Sequence, residues 1–438
     1  MFRTRRVGLA AGVACLAMTV AACGGGGSTQ AEAGSGKGTI TVWAHDGQPG
    51  EDAAIKQAVQ EFNDAHTGVT VSLTLIPEKT YSQTINSTPA SKLPDVFEFD
   101  GPSLASDVFA DKLSPLTDLV SPQTLANQSS SATAQNTYQY KQYGVSVIDS
   151  GLGMYGNKKM LDAAGVKYPT SWKDSWTADD FQAALVKLAA KAPGHKALDV
   201  QENTFPGEWA SYGFLPIVNS TGHRVVANNS AQDLDNPTVI AALEKFASWR
   251  DYIDANTDAQ AFPSGRVALS WVGHWMYPTY SKALGNDLVT LPLPSFGEAG
   301  AKTGMGSWAW GISTSSKNGK AAGKFLDYLT SDKIVSAYTT ADGAPPATNS
   351  VLTTSPLYKD GGPLHLFAEA LQTPCGASVP STSCVAVPRP VTPAYPVISQ
   401  QFQNVIEDAL KGGNVPSLVH KAASAINLAY QQNNNYGQ

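Results

Sequence analysis

Apolar and polar positions follow two periods along this chain. Residues 39–45 make a β-rich run. Between 51 and 66, Ile55, Val59 and Phe62 recur at helical spacing and draw one apolar stripe, the pattern of an amphipathic helix. Val69, Val71, Leu73 and Leu75 then alternate with polar neighbours, as in a half-buried strand. A short helical stretch from Tyr81 leads to a third strand at 94–100. The order β-α-β-α-β predicts a parallel sheet covered by helices. Right-handed crossovers put the carboxyl ends of strands one and three on one edge. His45, Asp46 and Asp100 fall at those ends, where open α/β sheets bind ligands.

Further along, the alternation breaks twice. Residues 143–157 are β-rich and contain Gly144, Gly151, Gly153 and Gly156; a short helix at 158–165 follows. Thr177 to Asp180 reads as a capping box with Asp where Glu or Gln is usual, opening a helix to about 191 with Phe181, Leu185 and Leu188 inward. Pro237 at a first turn opens a long amphipathic helix over 236–254. Strands are expected at 266–272, 288–293 and 308–313, and helices at 320–329, 364–371, 397–410 and 416–430.

Composition narrows the function classes. Of 438 residues, 42% are hydrophobic and 15% charged, apolar enough to fold and too poor in charge for a disordered or coiled-coil chain. The net charge of −6 and the lack of basic clusters speak against a nucleic-acid partner. No apolar run long enough to span a bilayer occurs after the N-terminus. That N-terminus reads as an export signal: Arg3, Arg5 and Arg6 precede an apolar or small run from Val7 to Val20. It ends in Val20-Ala21-Ala22-Cys23, which resembles the bacterial lipobox. That resemblance implies cleavage of residues 1–22, diacylation of Cys23, and a mature charge of −9 once the three arginines leave. Residues 23–38 are then the lipidated cysteine and a Gly/Ser/Ala tether. Gly34-Ser35-Gly36-Lys37 only imitates a P-loop, since Ala31 and Gly38 stand where the motif needs Gly and Ser/Thr. Two cysteines remain, Cys375 and Cys384, and outside the cytoplasm such a pair reads as a disulfide.

Several stretches then occur in a telling order: Thr39–Trp43; Leu93-Pro-Asp-Val-Phe-Glu-Phe-Asp100; Leu113-Ser-Pro-Leu116; Tyr143-Gly-Val through Met154-Tyr-Gly-Asn-Lys158; Ala164–Pro169; Phe262-Pro-Ser-Gly-Arg-Val-Ala-Leu269 with Gly273 and Trp275; Leu291-Pro-Leu-Pro294; and Gly343-Ala-Pro-Pro346. With the lipobox, this series resembles the bacterial extracellular solute-binding proteins of family 1, sugar-binding subunits of ABC importers related to maltose-binding protein. The resemblance implies a periplasmic-binding-protein-like α/β fold of two lobes built from discontinuous segments. It places the first lobe at 37–146 plus 276–330 and the second at 147–275 plus 331–438, joined by hinge crossovers around a ligand cleft. It implies a monomer that takes a small carbohydrate to transmembrane permease subunits, with no cofactor and no chemistry. The expected place is extracytoplasmic, held by lipid on the outer face of the cytoplasmic membrane.

The chemistry of sugar capture selects candidates without the family. A sugar offers hydroxyls at its edges and C–H patches on its faces, so its holder needs flat aromatic surfaces and charged or amide groups. Trp271, Trp275 and Trp308 fall close together in sequence, and Trp209 follows Glu208 after a Pro-Gly break. Trp308 and Trp310 share one strand face, leaving room for one cleft and one core indole, while Trp172 and Trp249 are expected in the core. Asp100 ends an apolar strand and matches a position where the family often has a sugar-binding acid; helix capping is the alternative. His45-Asp46, after the first strand, and Tyr81, on the short helical stretch, are further candidates; His45-Asp46 could also simply form a turn with Gly47. Asp149-Ser150 sits on an expected crossover, Gly306-Ser307 precedes a strand, and Arg389 stands between Pro388 and Pro390 with a guanidinium able to fork onto two oxygens. The sequence leaves open glycerophosphodiesters or amino sugars as ligands, an adhesive lipoprotein, and a secreted glycoside hydrolase using two carboxylates. The seven scattered histidines show no zinc spacing, and no nucleophile elbow is present.

Overall fold

A computed structural model describes residues 30–205, 207–376 and 379–437; the signal segment and Cys23 lie outside the described residues. The first sheet runs Val69–Pro77, Gly38–Asp46, Val96–Asp100, Trp308–Ser313, Leu113–Ser114, with Gly144–Val145 also on Trp308–Ser313. The first three strands are parallel, as the β-α-β-α-β order requires. Trp308–Ser313 enters antiparallel, with Trp308 opposite Asp100. The second sheet runs Ile253–Asp254, Leu198–Asp199, Leu269–Gly273, Leu152–Asn157, Leu288–Leu291. Each sheet has its own hydrophobic core. These are the two lobes.

The segment boundaries differ from the sequence expectation. Leu288–Leu291 pairs antiparallel with Leu152–Asn157 in the second sheet, although 276–330 was assigned to the first lobe. Ile334, Val335 and Tyr338, on the helix Asp332–Asp342, pack in the first core, although 331–438 was assigned to the second. Short strands account for part of the error. Leu198–Asp199 and Ile253–Asp254 are two residues each and pair parallel, so the helix expected over 236–254 ends at Ala247. The helix Glu208–Ser220 was not expected. It is almost wholly buried, apolar on every side, and carries Pro216, so it shows no stripe.

Among the described residues the chain passes between lobes in three places: near 146–151, 306–307 and 343–357. Two of these lie side by side, Asp149 N–H donating to Pro345 O at 2.7 Å and Ala347 N–H to Val147 O at 3.1 Å. Gly306 and Gly343 hold φ of 98° and 76° on these segments, where a side chain would strain the backbone. Gly144 and Gly153 serve the sheets: a Cβ on Gly144 would lie 2.7 Å from Phe99, and one on Gly153 3.0 Å from Phe367. The disulfide Cys375–Cys384 is present. It closes the loop leading into Ala386–Pro388, which pairs with Thr303–Met305 beside a crossing and sets Arg389 at the junction.

Candidate functional site

Between the lobes lies a cleft with an internal volume of about 140 Å³, lined by residues of both lobes. The first lobe contributes the ends of its central strands. His45 ends the first strand and Trp308 begins the antiparallel one; their rings stack at 4.2 Å and 15°. Glu98 Oε2 lies 2.7 Å from His45 Nδ1, and Glu51 Oε1 3.4 Å from Nε2. Burial works against charge on this ring, but the two carboxylates outweigh it and hold its pKa well above the usual histidine value. Trp308 is therefore backed by an imidazolium.

The second lobe contributes one face of Glu208–Ser220, where Glu208, Trp209 and Tyr212 recur at helical spacing and line the cleft. Trp209 is pinned by its Nε1–H donating to Val200 O at 2.9 Å. Trp275 meets Trp209 edge to face at 5.6 Å. The Trp275 indole lies against Gly273, where a Cβ would sit 2.0 Å from the ring; only glycine leaves it this place.

A buried guanidinium crosses the gap. Arg389 donates from Nη1 to Asp100 Oδ2 and from Nη2 to Asp100 Oδ1, both at 2.5 Å. Its Nη1 also donates to Glu208 Oε1 at 2.9 Å and its Nη2 to Gly306 O at 3.3 Å. The guanidinium lies 4.4 Å from the centre of the Tyr212 ring, a cation–π contact. Tyr395 and Ser399 complete the shell of Glu208 by donating to it. Burial pushes the Asp100 carboxyl up to about 6, Arg389 opposing the rise and Glu208 adding to it. Lys79 Nζ at the exposed rim also donates across the gap, to Asn203 O at 3.3 Å. The lobes are apposed.

Ten of the fourteen sequence candidates line this cleft: His45, Asp100, Ser150, Glu208, Trp209, Trp275, Gly306, Ser307, Trp308 and Arg389. Four do not. Asp46 is turned by strand alternation away from His45, to the outer surface near Lys56 and Leu73. Tyr81 is buried behind the wall, donating to Glu98 O at 2.7 Å and meeting His45 and Trp308 edge-on. Asp149 turns inward and accepts from Ser150 N–H. Trp271 is a core indole whose Nε1–H donates to Gly213 O at 3.0 Å. Trp172 and Trp249 are in the core as expected, and of the pair on one strand Trp310 is the core indole.

Sequence reading missed Glu51, Glu78, Gln201, Tyr212, His274 and Asp342 as lining residues. Tyr212 stands four residues after Glu208, a spacing visible once a helix is recognised there. His274 and Asp342 come from the two sides of the hinge and carry no local pattern. They face each other, Nδ1 to Oδ2 at 3.7 Å. Ser150 Oγ lies 3.2 Å from His274 Nε2, and Tyr212 donates to it at 3.0 Å. Burial lowers the His274 ring to about 3, so it is neutral at pH 7.

Comparison with known proteins agrees with this architecture. The family profile described as bacterial extracellular solute-binding protein matches residues 57–363. The chain belongs to that family, whose members bind solutes outside the cytoplasm. It is 22% identical over 377 residues to a multiple sugar-binding protein of Streptococcus mutans, covering 79% of this chain and 83% of that one. It is 24% identical over 378 residues to the diacetylchitobiose-binding protein DasA of Streptomyces coelicolor, covering 78% and 82%. Among solved structures, the substrate-binding protein of Listeria monocytogenes in complex with cycloalternan superposes with a TM-score of 0.76 at 19% identity, over 90% of this chain and 99% of that one. The GacH receptor of Streptomyces glaucescens, solved unliganded and with acarbose, gives 0.73 at 22% identity, over 90% and 98%. These structures establish the two-lobed fold.

Proposed function

We propose that this protein is the lipid-anchored, carbohydrate-binding subunit of an ABC importer. One observation carries the reading: aromatic faces from both lobes, Trp308 on one side and Trp209 with Trp275 on the other, line a single cleft edged by hydroxyl-seeking side chains. That combination suits the apolar faces and hydroxyl rim of a saccharide. The curated relatives, named for a sugar and for diacetylchitobiose, point the same way.

A phosphodiester fits less well. The one guanidinium among the described lining residues is already engaged by Asp100 and Glu208. The same engagement speaks against a hydrolase, since the two carboxylates best placed as a catalytic pair share that cation. Ligand settles on one lobe, and closure lets the other complete its bonds; sugar favours closure by its better affinity for the closed form. The lipid on Cys23 keeps the protein concentrated near the permease. The expected tether does not extend to residue 38, since Ala31 is buried in the first core with its N–H donating to Ser114 Oγ at 2.6 Å, and Glu32 N–H donates to Ser316 O.

Incubating the purified protein with di- and oligosaccharides, while following melting temperature, tryptophan fluorescence and product formation, tests this. Saturable stabilisation without products supports the carrier. Accumulating product assigns a hydrolase, and no response to any saccharide overturns both. Intact-mass analysis of the membrane fraction tests the anchor: a diacylated Cys23 at the N-terminus supports it, and an unmodified soluble chain refutes it.

A further inference from the structure

The charges lining the cleft do not balance. At the Arg389 end, Asp100 and Glu208 share one guanidinium. At the opposite end, Glu51 and Glu98 share one imidazolium, that of His45. Beyond that pair stand Glu78, on the cleft side of the helix Glu78–Ser87, and Asp342. His274, which faces Asp342, supplies no charge because burial holds its ring neutral. Carboxyl groups therefore outnumber cations at both ends, most strongly at the end made by Glu51, Glu78 and Asp342.

A second observation marks a place for a donor. Asp342 and His274 are each 2% exposed. Asp342 Oδ1 and His274 Nδ1, both buried at the cleft wall, have no hydrogen-bond partner. Whichever ring nitrogen of His274 carries its proton, Asp342 Oδ1 is left without a donor. Leaving a buried carboxylate oxygen unmet is costly, and the groups nearest to it cannot meet it: Glu51 is an acceptor, and Tyr338 Oη already donates to Glu51 at 3.0 Å. A hydroxyl brings one hydrogen and no charge. An ammonium brings three donors and the missing positive charge, which answers both the orphaned oxygen and the surplus.

We infer that the ligand is an amine-bearing saccharide whose ammonium is held at Asp342, within the field of Glu51 and Glu78, while its ring faces lie against Trp308 and Trp275. This rests on the carbohydrate reading above and narrows it to a cationic class. In the empty cleft, burial and the charge of Glu51 keep the Asp342 carboxyl well above its usual pKa.

The test uses the whole purified protein and matched pairs: glucosamine against glucose, galactosamine against galactose, and the β-1,4-linked glucosamine disaccharide against cellobiose, with the N-acetylated forms as uncharged size controls. Calorimetry at pH 7 and low salt should show at least tenfold tighter binding of one amine than of its neutral and acetylated partners. That preference should shrink several-fold in 0.5 M salt. Asp342→Asn should cut the amine-to-neutral affinity ratio at least fivefold, and Glu78→Gln, at an exposed position, should cut it by a smaller factor should the first variant fail to fold. Neutral sugars binding as well as or better than their amines overturns the inference and leaves the carrier standing. No binding of any saccharide removes both.

Discussion

The buried contact between Asp100 and Arg389 gives the sharpest energetic prediction. Their side chains are 8% and 4% exposed, and two parallel bonds join them across the lobes. Arg389→Met keeps much of the side chain's length and leaves Asp100, buried, and Glu208, half-buried, without their cation. Stranding a buried charge in this way costs about 3–5 kcal/mol. Asp100→Asn is milder: Arg389 keeps Glu208 and Gly306 O, and the loss is that of charge-assisted hydrogen bonds, about 1.5–3 kcal/mol. The double variant removes one of the two stranded carboxylates, so it should be more stable than the sum of the single effects allows, by about 1–3 kcal/mol. Urea denaturation of the four proteins measures this cycle, and small-angle scattering on the same samples reports whether the lobes part. Arg389→Met within about 1 kcal/mol of the parent, or effects additive to within about 0.5 kcal/mol, would refute the reasoning.

Other expectations follow from the same geometry. Trp308→Ala and Trp275→Ala, each removing a flat wall, should weaken saccharide binding by about tenfold or more, in line with the about 1–3 kcal/mol that stacked rings contribute elsewhere, as read by calorimetry. His274 stays neutral in the folded protein down to about pH 3, whereas an unfolded histidine titrates near 6.5. Its contribution is therefore present in full above pH 6.5 and is lost as pH falls from 6.5 toward 3, at about 1.4 kcal/mol per unit. Denaturant midpoints of His274→Asn across that range should fall less steeply than the parent's. Replacing Cys375 and Cys384 by alanine should cost up to about 3 kcal/mol and, by freeing the loop that sets Arg389, loosen the bond to Asp100; a parent-like melt and scattering profile would contradict this.

The parallel half of the first lobe was legible because its strands alternate cleanly and its first helix carries an undivided stripe. The carboxyl ends of those strands fall at the cleft for the same reason, which is why His45 and Asp100 could be singled out. Asp46 shows the limit of that inference: strand alternation sends neighbours to opposite faces, so only one of an adjacent pair can look into the cleft. Legibility fades where tertiary packing replaces pattern. Glu208–Ser220 is apolar all round because it is enclosed, and its polar lining residues were invisible without the helix that spaces them. Leu198–Asp199 and Ile253–Asp254 are too short to show a period. His274 and Asp342 meet only because two hinge segments fold against each other, a relation between positions 68 residues apart that no local spacing encodes.

The central claim is that a saccharide is held between two aromatic walls in one cleft, without reaction. Calorimetric titration of the parent, Trp308→Ala and Trp275→Ala proteins with the best-stabilising saccharide tests it most directly. The account predicts one site per chain, strongly weakened from either wall, with the sugar recovered unchanged. Binding that ignores both substitutions, or a sugar recovered cleaved, would contradict it.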